Sequence, residues 1–547
     1  MEEAPQMEKS NENKQYSTFK AQEDSYGVAQ VDNTKGTSLY KLEGGETDEE
    51  AQFSKSEQEM PEEHTSWFSF KKLWLYTGPG WLMSIAYLDP GNIEGDLLAG
   101  THGGYGLIWT LFLATFCGLI IQILSARVGI VTGRDLAVLC REQFNKPMRL
   151  TLWVMAEIAI IGSDIQEVIG TAIAFKILFG FPIWVGAIIT ILDTFTFLFI
   201  HACGVRKLEA VFAVLVGTMA ICFWCNMFIV LPDAGDVMKG FIPQLPKDST
   251  GEMIGLIGAV IMPHNLFLHS ALVQSRKINR HNNSKVKEAN KYFAIEAGVS
   301  LFISFLINLA VVATFAYYHL KTGSSDIVLN NAHFALQESF GTNAKYIWAI
   351  GLMAAGQSST MTGTYAGQFV MQGFINLHVP AYVRVFITRA IAIVPAIIFA
   401  FIKYTDNLDG FLNILQAIQL PFALIPLLKF SASPKIMKDY KNHMFWNLFC
   451  IAVSLTLMAL NVYGLIPSTK NPWIIAGTTI GFLIYFGIII AVLLSPVHNL
   501  APLQSEIEES KTFAELEEEE DDSRDEGKPL REALLNRSSN IVESSTL

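Results

Sequence analysis

Apolar stretches of about twenty residues recur along the chain, separated by short polar segments that carry most of its charge. An α-helix rises about 1.5 Å per residue, so such a stretch crosses a hydrocarbon core about 30 Å thick. Twelve stretches reach that length, at about 74–99, 107–130, 150–175, 182–200, 208–230, 252–274, 293–318, 345–374, 383–402, 411–429, 445–465 and 472–494. In lipid the backbone must satisfy its own hydrogen bonds, so the pattern predicts an all-α polytopic membrane protein with 12 spans. An even number places both ends on one side. One set of loops holds Arg134, Arg141, Lys146, Arg149, Arg276, Lys277, Arg280, Lys285, Lys287, Lys435 and Lys438, while the other is poor in bases. The excess of positive charge marks the cytoplasmic side, and both tails lie on it.

Two spans are interrupted. The first contains Asp89-Pro90-Gly91-Asn92, and the sixth contains Met262-Pro263-His264 after Gly255 and Gly258. Proline removes a backbone donor and breaks the helix, and in lipid the freed carbonyls need other partners. The bland reading is a proline kink whose second half is capped by Asp89. A kink alone does not call for Asn92 one turn after Asp89, nor for ligand-type side chains at both breaks. The interruptions lie five spans apart, an odd number, so the second repeat is inverted relative to the first. Paired broken helices in inverted halves predict a midplane substrate site between them.

The side chains at the breaks define the chemistry. Asp89 offers an anionic oxygen, Asn92 a neutral one and Met262 a thioether, and the stretch before Pro263 frees a carbonyl, with Ala259 the expected donor. Calcium and magnesium take oxygen ligands only. Sulfur favours softer divalent ions, which points to Mn(II), Fe(II), Co(II) or Cd(II). Further ionisable groups lie inside spans: Glu157, Asp164 and Glu167 on one face of the third, Arg389 in the ninth, and His264 and His269 after the sixth-span break. A row of carboxylates, a base and imidazoles is what a proton pathway requires, and neutralised pairs that join helices would read the same way.

Composition supports the membrane reading: 51% of residues are hydrophobic and 16% charged. Of the formal charge of −12, residues 1–66 carry −10 and residues 497–547 carry −9, which leaves the body at +7. Acidic tails of low hydrophobicity do not bury enough surface to fold, and disordered tails are expected on both sides of the body. The tails are then residues 1–66 and 497–547, with the membrane body between them. Acidic tails argue against nucleic-acid binding. Cys222 and Cys225 sit inside an apolar span, where packing outweighs redox or zinc chemistry. No nucleophile–base set or nucleotide loop suggests an enzyme, and no cofactor is expected.

Three motifs together resemble the natural-resistance-associated macrophage protein (NRAMP) family of proton-coupled divalent metal transporters, in its animal branch. They are Asp89-Pro90-Gly91-Asn92, Met262-Pro263-His264-Asn265-Leu266-Phe267-Leu268-His269-Ser270, and the run from Gly356 to Tyr365. The resemblance runs from about Phe68 to Leu494. It implies a LeuT-type fold of 5+5 inverted helices, a ten-helix transport core at 67–430, with two additional peripheral spans at 431–496. It implies metal ligation by Asp89, Asn92, Met262 and the Ala259 carbonyl, with a tenth-span ligand, Asn413 or failing that Gln416. It also implies a proton-coupling role for Glu157, Asp164, Glu167, His264, His269 and Arg389. The loop 319–344 departs from vertebrate relatives by lacking an Asn-x-Ser/Thr, and the sequons at Asn282 and Asn536 face the cytoplasm.

The expected function is proton-coupled symport of Mn(II), Fe(II) and related ions, Cd(II) and Co(II) among them, into the cytoplasm. The expected partners are these ions, protons, the bilayer and trafficking adaptors on the tails. Tyr16-Ser17-Thr18-Phe19 has the form of an endosomal sorting signal, so plasma, endosomal and lysosomal membranes all fit. The alternatives are a magnesium transporter or a non-transporting metal sensor on the same fold.

Overall fold

The computed structural model describes residues 68–500 except 191–204, 248, 281, 325, 377–380, 403–407 and 466–471, together with Gln58 and Glu59. All of these lie in one of two compact units, residues 47–547. The main helices are α1 (Phe70–Tyr76), α2 (Pro79–Ile85), α3 (Pro90–Gly103), α4 (Ile108–Thr132), α5 (Leu136–Gln143), α6 (Lys146–Phe179), α7 (Val205–Val230), α8 (Thr250–Val260), α9 (Pro263–Leu272), α10 (Asn283–Thr322), α11 (Ala332–Phe340), α12 (Thr342–Ile375), α13 (Ala381–Ile402), α14 (Leu408–Ala432), α15 (Met444–Leu465) and α16 (Pro472–Leu494). Among the described residues, six helical stretches are long and apolar enough to cross a membrane: Pro90–Thr132, Lys146–Phe179, Ala210–Val230, Thr250–Ser275, Asn283–Thr322 and Gly410–Ala432. The span expected at 182–200 lies mostly outside the described residues. Phe112, Phe116, Val214, Ile221, Phe302, Leu455 and Leu483 are exposed on helix faces. So much exposed apolar surface suits hydrocarbon rather than water.

Helix ends follow local chemistry. Asn145 caps α6, its Oδ1 accepting from Met148 N at 3.2 Å, and Gly180 ends that helix at φ 75°. Two expected spans are not continuous helices. The stretch 74–99 is three pieces, α1, α2 and α3, and 252–274 is two, α8 and α9. The first gap turns at Gly78, whose φ of 150° suits only glycine.

The broken backbone finds partners on α10, which runs alongside. Glu296 Oε1 accepts from Gly78 N at 2.5 Å. Ser304 Oγ donates to Ser84 O at 3.0 Å, and Asn308 Nδ2 donates to Tyr87 O at 3.0 Å. Beside Gly78, Arg276 donates to Leu75 O and Thr77 O at 3.1 and 2.8 Å. These side chains replace the helical ladder, which is why a break is tolerated inside an apolar stretch.

α6 lies along α12, with small residues at the contact: a Cβ at Gly356 would meet Thr171. Small residues let membrane helices approach closely. Gly170 of α6 lies directly on Pro90, and a Cβ there would collide with the proline ring. Gly170→Ala should therefore destabilise the protein by about 1–3 kcal/mol through overpacking. A thermal melt of the detergent-purified protein checks this, and an unchanged midpoint would show that the two helices separate freely.

One feature departs from the expected disorder of residues 1–66. Gln58 and Glu59 pair in parallel with Arg276 and Lys277. The pairing joins this short segment, backbone to backbone, to the stretch just after α9.

Candidate metal site

After α2 the chain makes a tight turn, with Tyr87 N on Ser84 O at 3.2 Å and Leu88 N on Ile85 O at 2.9 Å. Asp89 is then extended and caps α3. Its Oδ1 accepts from Asn92 N at 2.8 Å and from Asn92 Nδ2 at 2.6 Å. The capping role thus occupies one carboxylate oxygen and leaves the other available. Asp89 Oδ2 and Asn92 Oδ1 have no hydrogen-bond partner, although the two residues are 2% and 0% exposed. Leaving a buried polar atom unpaired costs about 1–3 kcal/mol, and more when it is charged. Two such oxygens, one turn apart on one helix, make a place where a cation would be held.

The second break mirrors the first. α8 stops at Val260, Met262 is extended at φ −81°, ψ 134°, and Pro263 opens α9. Met262 is buried, 2% exposed. Ala259 lies four residues before Pro263, and Ala86 lies four before Pro90. In a helix each carbonyl accepts from the N–H four residues on, and proline has none, so both carbonyls are released. The two breaks meet. Asn265 Nδ2 reaches Ala86 O at 3.4 Å, and a Cβ at Gly95 would stand 3.3 Å from Ala259 Cβ.

The tenth-span amides adjoin the first break. Asn413 Nδ2 donates to Gly91 O at 3.1 Å, and Asn413 Oδ1 accepts from Gln166 Nε2 at 2.8 Å. Gln416 Nε2 donates to Gln166 Oε1 at 2.6 Å, and Gln416 Oε1 has no partner. Both functional ends of Asn413 are therefore engaged, while Gln416 keeps a buried oxygen open.

The expected proton groups lie on three helices, α6, α9 and α13. Asp164 and Glu167 are buried on α6 and face Gly363 of α12, where a Cβ would stand 2.9 Å from Asp164 Oδ1 and 3.1 Å from Glu167 Oε1. Glu157 is half-buried and accepts from Trp153 Nε1 at 3.0 Å. His264 is buried in the first turn of α9, with Nδ1 unpartnered. His269 Nδ1 lies 2.8 Å from Gln122 Oε1 on α4, and its Nε2 is unpartnered. Arg389 falls within α13, which packs on α6, and its side chain lies outside the described residues.

Reading the sequence missed Gln166, Gln122, Asn265 and Asp96. Asp96 is fully buried on α3, and neither carboxylate oxygen has a hydrogen-bond partner. Asp89, Asn92 and Asp96 are spaced by three and four residues, so helical periodicity would have put them on one face. Among the described residues, no group of three or more His, Cys, Asp and Glu side chains could hold a metal ion. The candidate ligands at the two breaks are instead one carboxylate, amides, a thioether and released carbonyls.

These features define a class: a multi-pass helical membrane protein whose two broken helices meet at ligand-type side chains. The family model for natural resistance-associated macrophage protein-like proteins (Nramp) matches residues 80–467. The chain is 51% identical to the metal transporter nramp1 homolog of Dictyostelium discoideum over 430 residues, covering 76% of this chain and 80% of that protein. It is 45% identical to natural resistance-associated macrophage protein 2 of Homo sapiens over 470 residues, covering 78% and 83%. The structure of the Eremococcus coleocola manganese transporter, in complex with an aromatic bis-isothiourea substituted compound, matches with a TM-score of 0.71. That match has 30% identity and covers 80% of this chain and 97% of the other. The chain belongs to the Nramp family.

Proposed function

We propose that the protein moves divalent transition-metal ions across a membrane into the cytoplasm by alternating access, coupled to protons. One observation carries the reading: Asp89 Oδ2 and Asn92 Oδ1 are buried and unpartnered beside a break that meets the break holding Met262. Hard oxygens with one thioether suit Mn(II), Fe(II), Co(II) and Cd(II) better than Mg(II) or Ca(II). The names of the relatives, metal and manganese transporters, agree in substrate class. The ligands are Asp89, Asn92, Met262, the Ala259 carbonyl and a tenth-span amide. Of the two amides Gln416 is the one with an oxygen to give, because its Oε1 is open and that of Asn413 is taken.

Glu157, Asp164, Glu167, His264, His269 and Arg389 form the proton pathway. Asp164 and Glu167 lie one turn apart on α6, the helix whose Gln166 touches the metal-site amides, so proton and metal sites share one rigid element. The architecture is a 5+5 inverted repeat with two further spans, both ends cytoplasmic. An inside-negative potential adds roughly 2.3 kcal/mol per charge per 100 mV to inward movement.

Purified protein in proteoliposomes tests this. With a pH gradient imposed, acid outside, Mn(II) and Cd(II) should accumulate and the lumen should acidify with metal entry. Metal binding without uptake would favour a sensor, and uptake of Mg(II) over Mn(II) would favour a magnesium transporter. Removing residues 1–46 and 505–547 should leave that uptake unchanged, since both segments lie outside all the helices that build the site. Loss of Mn(II) uptake by the truncated protein would show that the tails take part in transport itself.

A further inference from the structure

Three amide side chains stand in a line that starts on α14, crosses to α6 and returns through α14 to the first break. Gln416 Nε2 donates to Gln166 Oε1, Gln166 Nε2 donates to Asn413 Oδ1, and Asn413 Nδ2 donates to Gly91 O. All three residues are buried, at most 1% exposed. An amide has one accepting and one donating end, so a line of amides has a direction. The direction here is fixed at one end by the backbone. The carbonyl of Gly91 only accepts, so Asn413 must turn its NH2 toward it and its oxygen toward α6. Gln166 must then meet that oxygen with its own NH2, which leaves its oxygen facing Gln416. Gln416 must answer with NH2, and its Oε1 points the other way, buried and without a partner.

Gln166 is pressed into this place. A Cβ on Gly91 would stand 2.7 Å from Gln166 Oε1, so the glycine leaves room for the amide against the break. Gln166 also sits between Asp164 and Glu167 in sequence, yet those two face Gly363 of α12. One helix thus presents carboxylates to one side and an amide to the other.

We infer that Gln166 is a positioning residue for the transported cation: it carries the polarity of the Gly91 carbonyl through Asn413 and holds the Oε1 of Gln416 out as an oxygen ligand. Gln166 touches other protein groups, not the ion. The inference rests on the reading of Asp89, Asn92 and Met262 as the metal site. Without Gln166 the Gln416 amide is free to rotate, and half of its orientations offer NH2 to a cation. Partners that orient a ligand are typically worth about 10–100-fold in metal affinity.

The test is Mn(II) affinity by calorimetry on the purified full chain, with the melting temperature of the metal-free protein measured alongside. Gln166→Met keeps the volume and removes the hydrogen bonds to Asn413 and Gln416, and it should weaken Mn(II) binding about tenfold. Gln416→Ala should also weaken it, and the double variant should bind as Gln416→Ala alone does, because the effect of Gln166 passes through Gln416. A purely structural role would lower the melting temperature and leave the two losses multiplicative. Wild-type affinity in Gln166→Met, wild-type affinity in Gln416→Ala, or independent losses in the double variant would each overturn the inference. The Gln416 arm stands even if Gln166→Met does not fold. Asp89→Asn separates the two levels: if it binds Mn(II) normally, the site reading fails, and if it does not while Gln166→Met does, only the role of Gln166 fails.

Discussion

Asp89→Asn should abolish binding of Mn(II) and Cd(II) and leave a folded protein that is no less thermostable than the wild type. The two halves of this result have separate causes. Asp89 supplies the only formal negative charge in the ligand set, and without it amides, a thioether and carbonyls must hold a divalent ion by dipoles alone. The fold, by contrast, uses Asp89 through Oδ1, which accepts from Asn92 N and Nδ2 at 2.8 and 2.6 Å. An asparagine oxygen takes over that role, since Asn caps helices about as well as Asp. The change also removes a buried charge whose effective desolvation penalty is on the order of several kcal/mol. Calorimetry with Cd(II) and a thermal melt of the metal-free protein read the two effects apart. Near-wild-type Cd(II) affinity would sink the assignment of the site.

Replacing Met262 should change which ions bind more than how much binding remains. Met262 brings the one soft atom to a set of hard oxygens, and softness sorts ions. In Met262→Ala, water fills the vacated space and serves as another hard ligand. Cd(II), the softest candidate, should lose on the order of tenfold or more in affinity, about 1.4 kcal/mol per tenfold. Mn(II) should lose less, and Ca(II) and Mg(II) should become stronger competitors, because the altered site approaches the oxygen cages they prefer. Met262→Leu separates sulfur from shape. It keeps the volume and removes the thioether, so it should show the same re-ranking without the cavity. Competition uptake in proteoliposomes gives the order of ions. If every ion weakens equally in Met262→Ala and Met262→Leu restores the wild type, the side chain only packs against the site.

The sequence alone determined the class of this protein and the position of the breaks at Pro90 and Pro263, though not the gap at Gly78. Apolar runs of the right length leave few options in lipid but helices. Pro90 and Pro263 interrupt two of them without any help from tertiary contacts, because a missing N–H is a property of the residue. The same local logic identifies Ala86 and Ala259 as the carbonyls released four residues upstream. Asp89, Asn92 and Met262 could be named because ligand-type side chains at a helix break are costly unless they serve a function. Only the tertiary structure decided which polar groups near those breaks are already satisfied. Asn413 and Gln416 look alike in sequence, and the choice between them turns on Gln166, 247 and 250 residues away along the chain. Glu296, Ser304 and Asn308 of α10 could not be read as partners of the interrupted backbone on either side of α2 for the same reason. Their role depends on two helices lying side by side, about 220 residues apart in sequence. Periodicity says which face of a helix a residue occupies; what faces it is fixed by packing, and hydrogen bonds reach only about 3 Å.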